Sequence, residues 1–177
     1  MSEWIKAMNP TAPITTEPEA LRAARASAIA IFLGVAWGVV GVALLLTTGA
    51  AAMEAAMAQA AADSPEVAGM TGAMTQIALW GAIGLTVIQL VLGLVQWTKP
   101  NIVIPIIFLI LVLYGLATSL FGLSMMGSPD IPAAAKTPMW QIVLGLLILL
   151  IQLVMHIAGI RGARALDKLR MDAAQTY

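Results

Sequence analysis

Four long stretches of this chain, residues 26–53, 67–98, 100–129 and 137–160, contain no Asp, Glu, Lys or Arg. An element of a soluble domain needs a polar face toward water, and such domains carry about 25% charged residues. Here only 10% of the residues are charged and 60% are hydrophobic. The densest apolar runs, 26–46, 77–97, 102–124 and 139–160, each come close to the ~20 residues that carry a helix across ~30 Å of hydrocarbon. The expected fold is therefore an all-α integral membrane protein, a bundle of four transmembrane helices. The first run follows a mostly polar segment and is too long for the apolar core of a signal peptide, so it is expected to stay in the mature protein.

Orientation follows from the basic residues, because loops rich in Lys and Arg stay on the cytoplasmic side. Lys6, Arg22, Arg25, Lys99, Arg161, Arg164, Lys168 and Arg170 all fall on one side of a four-span arrangement, and only Lys136 falls on the other. Both termini are thus expected to be cytoplasmic, with a prokaryotic plasma (inner) membrane as the expected location. Trp80, Trp97 and Trp140 sit near span ends, where amphipathic rings prefer the headgroup level. Trp37 falls near the middle of the first span, and the expectation is that it packs against glycines of a neighbouring helix.

Three parts divide the chain: a cytoplasmic amino-terminal segment over 1–16, the four-span domain over 17–164, and a basic cytoplasmic tail over 165–177. In the first part Trp4, Ile5 and Met8 share one face of a short amphipathic piece that Asn9-Pro10 stops, suited to lying on the inner leaflet. Thr16-Glu17-Pro18-Glu19 has the spacing of a capping box, with Pro allowed in the first turn, so a helix is expected to start near Glu17. The alanine-rich residues 50–62 favour helix strongly. The first helix is expected to run on outward to near Ala61, and Ser64-Pro65 to start a second arm, giving an extended outer helical hairpin between spans 1 and 2. Met53 and Met57, and likewise Met70 and Met74, are spaced i,i+4, and the hairpin would bring the pairs together. Thioethers are soft ligands that suit Cu(I). Methionine beside alanine at helical spacing is also ordinary adaptable packing. With no His or Cys near them, packing is the preferred reading and copper the lesser one.

Within the spans the polar residues are few, and each is a candidate for function because polar groups at membrane depth are costly. Gln89 and Gln152 fall at the same level by the ~1.5 Å rise per residue, with Tyr114 close to it, and Gln96 lies further along the second helix. An intramembrane polar layer of Gln89, Gln96, Tyr114 and Gln152 is expected, acting as hydrogen-bonded glue between helices. His156 lies one turn beyond Gln152, roughly 9 Å from the midplane. As a packing residue it would hydrogen-bond a neighbouring backbone group or the Gln96 oxygen. As a site it would hold a haem or face a quinone, so it is the one candidate cofactor-binding residue. Gly34, Gly38 and Gly41 on the first span and Gly81 and Gly84 on the second mark the expected packing faces, since small residues let helix backbones approach.

Short identities hint at an internal duplication. Ile88-Gln89-Leu90-Val91 recurs as Ile151-Gln152-Leu153-Val154, and Ile31-Phe32-Leu33 with Trp37-Gly38 recurs as Ile107-Phe108-Leu109 with Tyr114-Gly115. Two parallel helical hairpins, the first with an insertion in its loop, would produce these offsets.

The spans hold no carboxylate and no Lys or Arg, which argues against an ion-coupled carrier or a voltage sensor. There is no Ser/His/Asp set at one depth, no His/Asp/Glu metal cluster and no phosphate-binding loop, so no enzyme activity is expected. With zero cysteines and a net charge of zero, thiolate metal sites and nucleic-acid partners are not expected. The expected partners are the lipid bilayer and other membrane subunits or further copies of the chain. The leading expectation is a non-catalytic tetraspan protein, an accessory or scaffold subunit of a larger membrane complex. The alternatives are a small homo-oligomeric channel or carrier for a neutral or apolar solute, and a membrane redox protein built on His156.

Overall fold

A computed structural model describes residues 3–49, 51, 71–126 and 137–175, and among them all regular structure is helical. A short α1 (Glu3–Met8) precedes α2 (Glu17–Leu44), α3 (Thr71–Thr98), α4 (Val103–Met125) and α5 (Met139–Gln175). The four stretches Glu17–Thr47, Ala73–Thr98, Val103–Ser124 and Met139–Gln175 are long and apolar enough to cross a membrane. The chain is an all-helical membrane protein, as its charge-free runs require.

The capping box forms at the start of α2. The Thr16 hydroxyl accepts from the Glu19 N–H at 3.4 Å, and the Glu19 carboxylate accepts from the Thr16 N–H at 3.2 Å. At its far end α2 does not stop at Leu44 but widens into a π-helical stretch, Leu45–Gly49. There the Thr47 hydroxyl donates to the Ala43 carbonyl at 2.9 Å, competing with the backbone donors that would otherwise use it. The outer hairpin expected beyond this point, with Met53, Met57 and Met70, lies outside the described residues.

The centre of the molecule is the antiparallel pair α2 and α5. α3 packs on α2, α4 packs on α5, and α3 and α4 make only minor contact with each other. Along α2, residues 23, 27, 30, 34 and 37 face the seam. On α5, residues 148, 152, 155, 159, 162 and 166 face it, all buried. Both sets alternate steps of four and three, the seven-residue repeat that keeps one stripe of each helix against its partner in a left-handed supercoil. Most of these residues are small, with Ala23, Ser27, Ala30, Gly34, Gly159 and Gly162 among them. A Cβ added to Gly162 would collide with the Ala24 N and the Ala23 carbonyl carbon, so here the two backbones touch.

This seam does not end with the charge-free run. α5 continues without a break through Arg161 and Arg164 to Gln175, and Leu166 within this last part is fully buried. Arg170 reaches Glu17 at 2.9 Å. At ~1.5 Å per residue the 37-residue α5 is ~55 Å long, well beyond the ~30 Å hydrocarbon. Its last turns and the first turns of α2 form a helical extension with its own small core.

The turn between α3 and α4 is fixed by side chains. Asn101 Oδ1 accepts from the N–H groups of Val103 and Ile104 at 2.9 and 3.0 Å, capping α4 in place of Ile102, and Pro105 sits buried in the first turn. Gln96, also fully buried, donates to the Asn101 and Ala24 carbonyls at 3.2 and 3.3 Å and accepts from the Asn101 N–H at 3.3 Å, which staples this turn to α2.

Candidate functional site

Three polar side chains of the seam lie buried along adjacent turns. Gln152 and His156 are four residues apart on α5, both facing α2, and Ser27 faces them from α2. The Gln152 amide donates to the Ala30 carbonyl at 2.9 Å. His156 Nδ1 lies 2.8 Å from Ser27 Oγ, and its ring stacks on Phe108 of α4 with centroids 5.7 Å apart and planes 21° from parallel. His156 is fully buried at this junction of α2, α4 and α5, and its Nε2 has no partner among the described residues. Whichever tautomer it holds, one ring nitrogen stays unpaired. The partner is Ser27, not the Gln96 oxygen expected from the sequence, because Gln96 is already committed to the α3–α4 turn.

The expected polar layer is only partly assembled. Gln89 and Gln152 meet over Gly34: a Cβ there would stand 2.6 Å from Gln152 Nε2 and 3.6 Å from Gln89 Oε1. The absent side chain of Gly34 is what lets the Gln152 amide reach the Ala30 carbonyl of α2. Tyr114, by contrast, is 69% exposed and takes no part. α4 turns Phe108, Val112 and Gly115 inward, with Leu149 of α5 lying 3.2 Å from a Cβ at Gly115. Tyr114, a helical step of ~100° away from Gly115, faces outward. Gln96 belongs to the turn two helical turns beyond Gln89.

Of the expected packing glycines, Gly34 and Gly38 are in contact, the latter with Thr86 of α3 at 2.8 Å from a built Cβ. Gly41, Gly81 and Gly84 meet nothing within 4 Å among the described residues. Gly81 and Gly84 lie on the side of α3 turned away from the Gly38–Thr86 contact. Trp37 lies against Gly145, its indole nitrogen 3.7 Å from a Cβ there. The two halves of the suspected duplication part company here, since Trp37 packs inside while its counterpart Tyr114 points out. Met74, at the start of α3, is exposed.

The residues missed from the sequence are Ser27, Phe108, Gly159 and Gly162. For Ser27, Gly159 and Gly162 the signal is the seven-residue spacing of small residues on α2 and α5, which runs across the boundary of the charge-free segment; Phe108 on α4 has no such signal. Chemically, the cluster offers two carboxamides, a hydroxyl and an imidazole, with no charged group. Among the described residues no three of His, Cys, Asp and Glu come together. The site can hold hydrogen bonds between helices. His156 Nε2 opens onto no exposed surface, because the residue is covered on all sides. Comparison of the chain with protein-family models, with curated proteins and with solved structures finds no match.

Proposed function

We propose that this chain is a non-catalytic tetraspan subunit that works through helix packing, an accessory or scaffold component of a larger complex in a prokaryotic inner membrane, with both termini cytoplasmic. One observation carries the reading: the outward faces of α3 and α4 bear groups that suit other helices better than lipid. On α3 the stripe of Ile77, Gly81, Gly84 and Ile88 faces outward, with both glycines open. On α4 the stripe of Ile110, Tyr114 and Phe121 does the same, and it places a phenol near the middle of the span. A phenolic O–H in hydrocarbon calls for a partner, and small residues gain nothing from lipid tails but allow close helix approach. The buried polar groups support the same reading. Gln96, Gln152 and Ser27 are buried and occupied within the chain, as glue would be.

The test is a photoreactive residue at Tyr114 in native membranes. A single protein adduct of unlike mass supports the subunit reading. An adduct of twice the 18.5 kDa chain mass supports the homo-oligomeric channel or carrier instead, and adducts to lipid alone would sink both. Orientation is tested separately by a reporter active only in the cytoplasm, expected to be active after Tyr177 and silent near Ala60.

A further inference from the structure

At the end of the molecule that carries both termini, α1 and the following linker fold back over α2 and α5 and leave a pocket of about 60 Å³. Its charged lining is Glu3, Lys6, Glu19, Arg22 and Arg161, with Ala158 on its apolar side. Four of the five charges are paired: Lys6 with Glu19 at 2.6 Å and Arg22 with Glu3 at 2.9 Å. Arg161 has no carboxylate within salt-bridge distance among the described residues. One of its terminal nitrogens donates to the Ala12 carbonyl at 3.2 Å, leaving most of the five guanidinium N–H donors for another acceptor. The lining therefore carries one uncompensated positive charge, on a half-buried side chain.

Position adds to the charge. Arg161 is the first charged residue after the apolar run of α5, so in a spanning orientation it stands at the depth of lipid phosphates. An aromatic group marks the same level: Trp4 of α1 stacks on Trp97 with ring centroids 6.1 Å apart, and the Arg25 guanidinium lies 5.1 Å from the Trp97 centroid. The Arg22–Glu3 pair can share its cation, because the Glu3 side chain is 73% exposed and water screens the pairing.

We propose that this pocket binds one phosphate group, carried by the headgroup of an anionic membrane lipid or free in solution, with Arg161 as the main donor and Arg22 as the second. A guanidinium fork matches two phosphate oxygens at once, and basic pockets between helix ends at the membrane surface hold such headgroups. The Lys6–Glu19 and Arg22–Glu3 pairs then act as the wall that holds α1 over the ligand.

Full-length protein, purified and stripped of lipid in neutral detergent, is mixed with equal amounts of phosphatidylglycerol and phosphatidylcholine, and native mass spectrometry counts the retained lipids. Inorganic phosphate is titrated separately against heat unfolding. Preferential retention of phosphatidylglycerol, reduced about tenfold by Arg161→Gln and largely kept by Arg161→Lys, supports the lipid source. Stabilisation by inorganic phosphate that Arg161→Gln removes, without lipid preference, supports the free anion. If wild-type protein neither prefers the anionic lipid nor responds to phosphate, or if Arg161→Gln folds and behaves as wild type, the proposal is overturned. The wild-type measurement stands even if the glutamine variant fails to fold.

Discussion

The two ends of the bundle use the same residue type in opposite ways. Near the termini, glycines are where helices touch: a Cβ on Gly159 would stand 2.5 Å from Ser27 Cβ, and one on Gly162 would strike the α2 backbone. Toward the other end Gly41, Gly81, Gly84 and Gly122 meet nothing within 4 Å among the described residues. Between them the α2–α5 seam widens, through an amide at Gly34 to the indole of Trp37 at Gly145. Lipid tails are as apolar as the helices, so burial alone does not close a seam in a membrane. The tight end closes because small residues repeat on both helices, because Ser27, His156 and Gln152 bond across the seam, and because its helical extension brings in a core of its own. Among the described residues the far end shows none of the three, and its glycines at 41, 81, 84 and 122 are left for other surfaces.

The largest effect that tests this contrast comes from adding one methyl group at each end. Gly162→Ala forces a backbone to move and is expected to cost about 3 kcal/mol, the upper part of the overpacking range. Gly84→Ala is expected to change the isolated protein by no more than about 0.5 kcal/mol. Unfolding in mixed detergent micelles measures both, and similar losses at the two sites would break the contrast.

Next comes the buried histidine. His156→Gln keeps a hydrogen-bonding group near Ser27 but loses the stack on Phe108, and a loss of about 1–2 kcal/mol is expected with assembly intact and no chromophore lost. Ser27→Ala removes the other partner and is expected to cost about 1 kcal/mol. Disappearance of a coloured cofactor or of a transport activity from a folded His156→Gln protein would make His156 a site and end the packing reading. Gln152→Leu, which breaks the bond to the Ala30 carbonyl, is expected to cost about 0.6 kcal/mol, the average for such bonds in membranes. Tyr114→Phe, on the outward face, is expected to leave the isolated protein unchanged.

These residues also show what the sequence could reveal. Span number and the start of α2 were legible because they rest on one-dimensional signals: runs without charge, and a capping box whose partners are three residues apart. Depth was legible too, which is why Gln89 and Gln152 were matched. Depth does not fix direction around the helix, and Tyr114, at the right level, points the wrong way. Glycines at 81 and 84 permit close approach without causing it. The seam escaped notice because the charges of Arg161 and Arg164 suggested that a solvated tail had begun. Those arginines leave the stripe of Gly159, Gly162 and Leu166 free to continue inward, so helix and seam run on together.

The smallest effect is a pH dependence confined to the tight end. Glu19 lies before the charge-free run, where its carboxylate accepts from Lys6 Nζ at 2.6 Å and from the Thr15 N–H and hydroxyl at 3.0 and 2.9 Å. The Lys6 hydrogen bond, followed by those from Thr15, holds its pKa at about 2, down from 4.5. A carboxylate whose folded pKa is depressed contributes stability that is complete above the unfolded value, near 4.5, and is lost as pH falls toward 2. Because the group is at the surface, the contribution is small and weakens with salt. Acidification through that window is expected to loosen α1 from α2, and loss of the Trp4–Trp97 stack should report it by fluorescence before the α2–α5 seam responds. Glu19→Gln should remove this pH-dependent step and leave the rest of the acid titration in place. If wild type and variant lose the stack along the same curve between pH 4.5 and 2, Glu19 is not the group that ties α1 to the bundle.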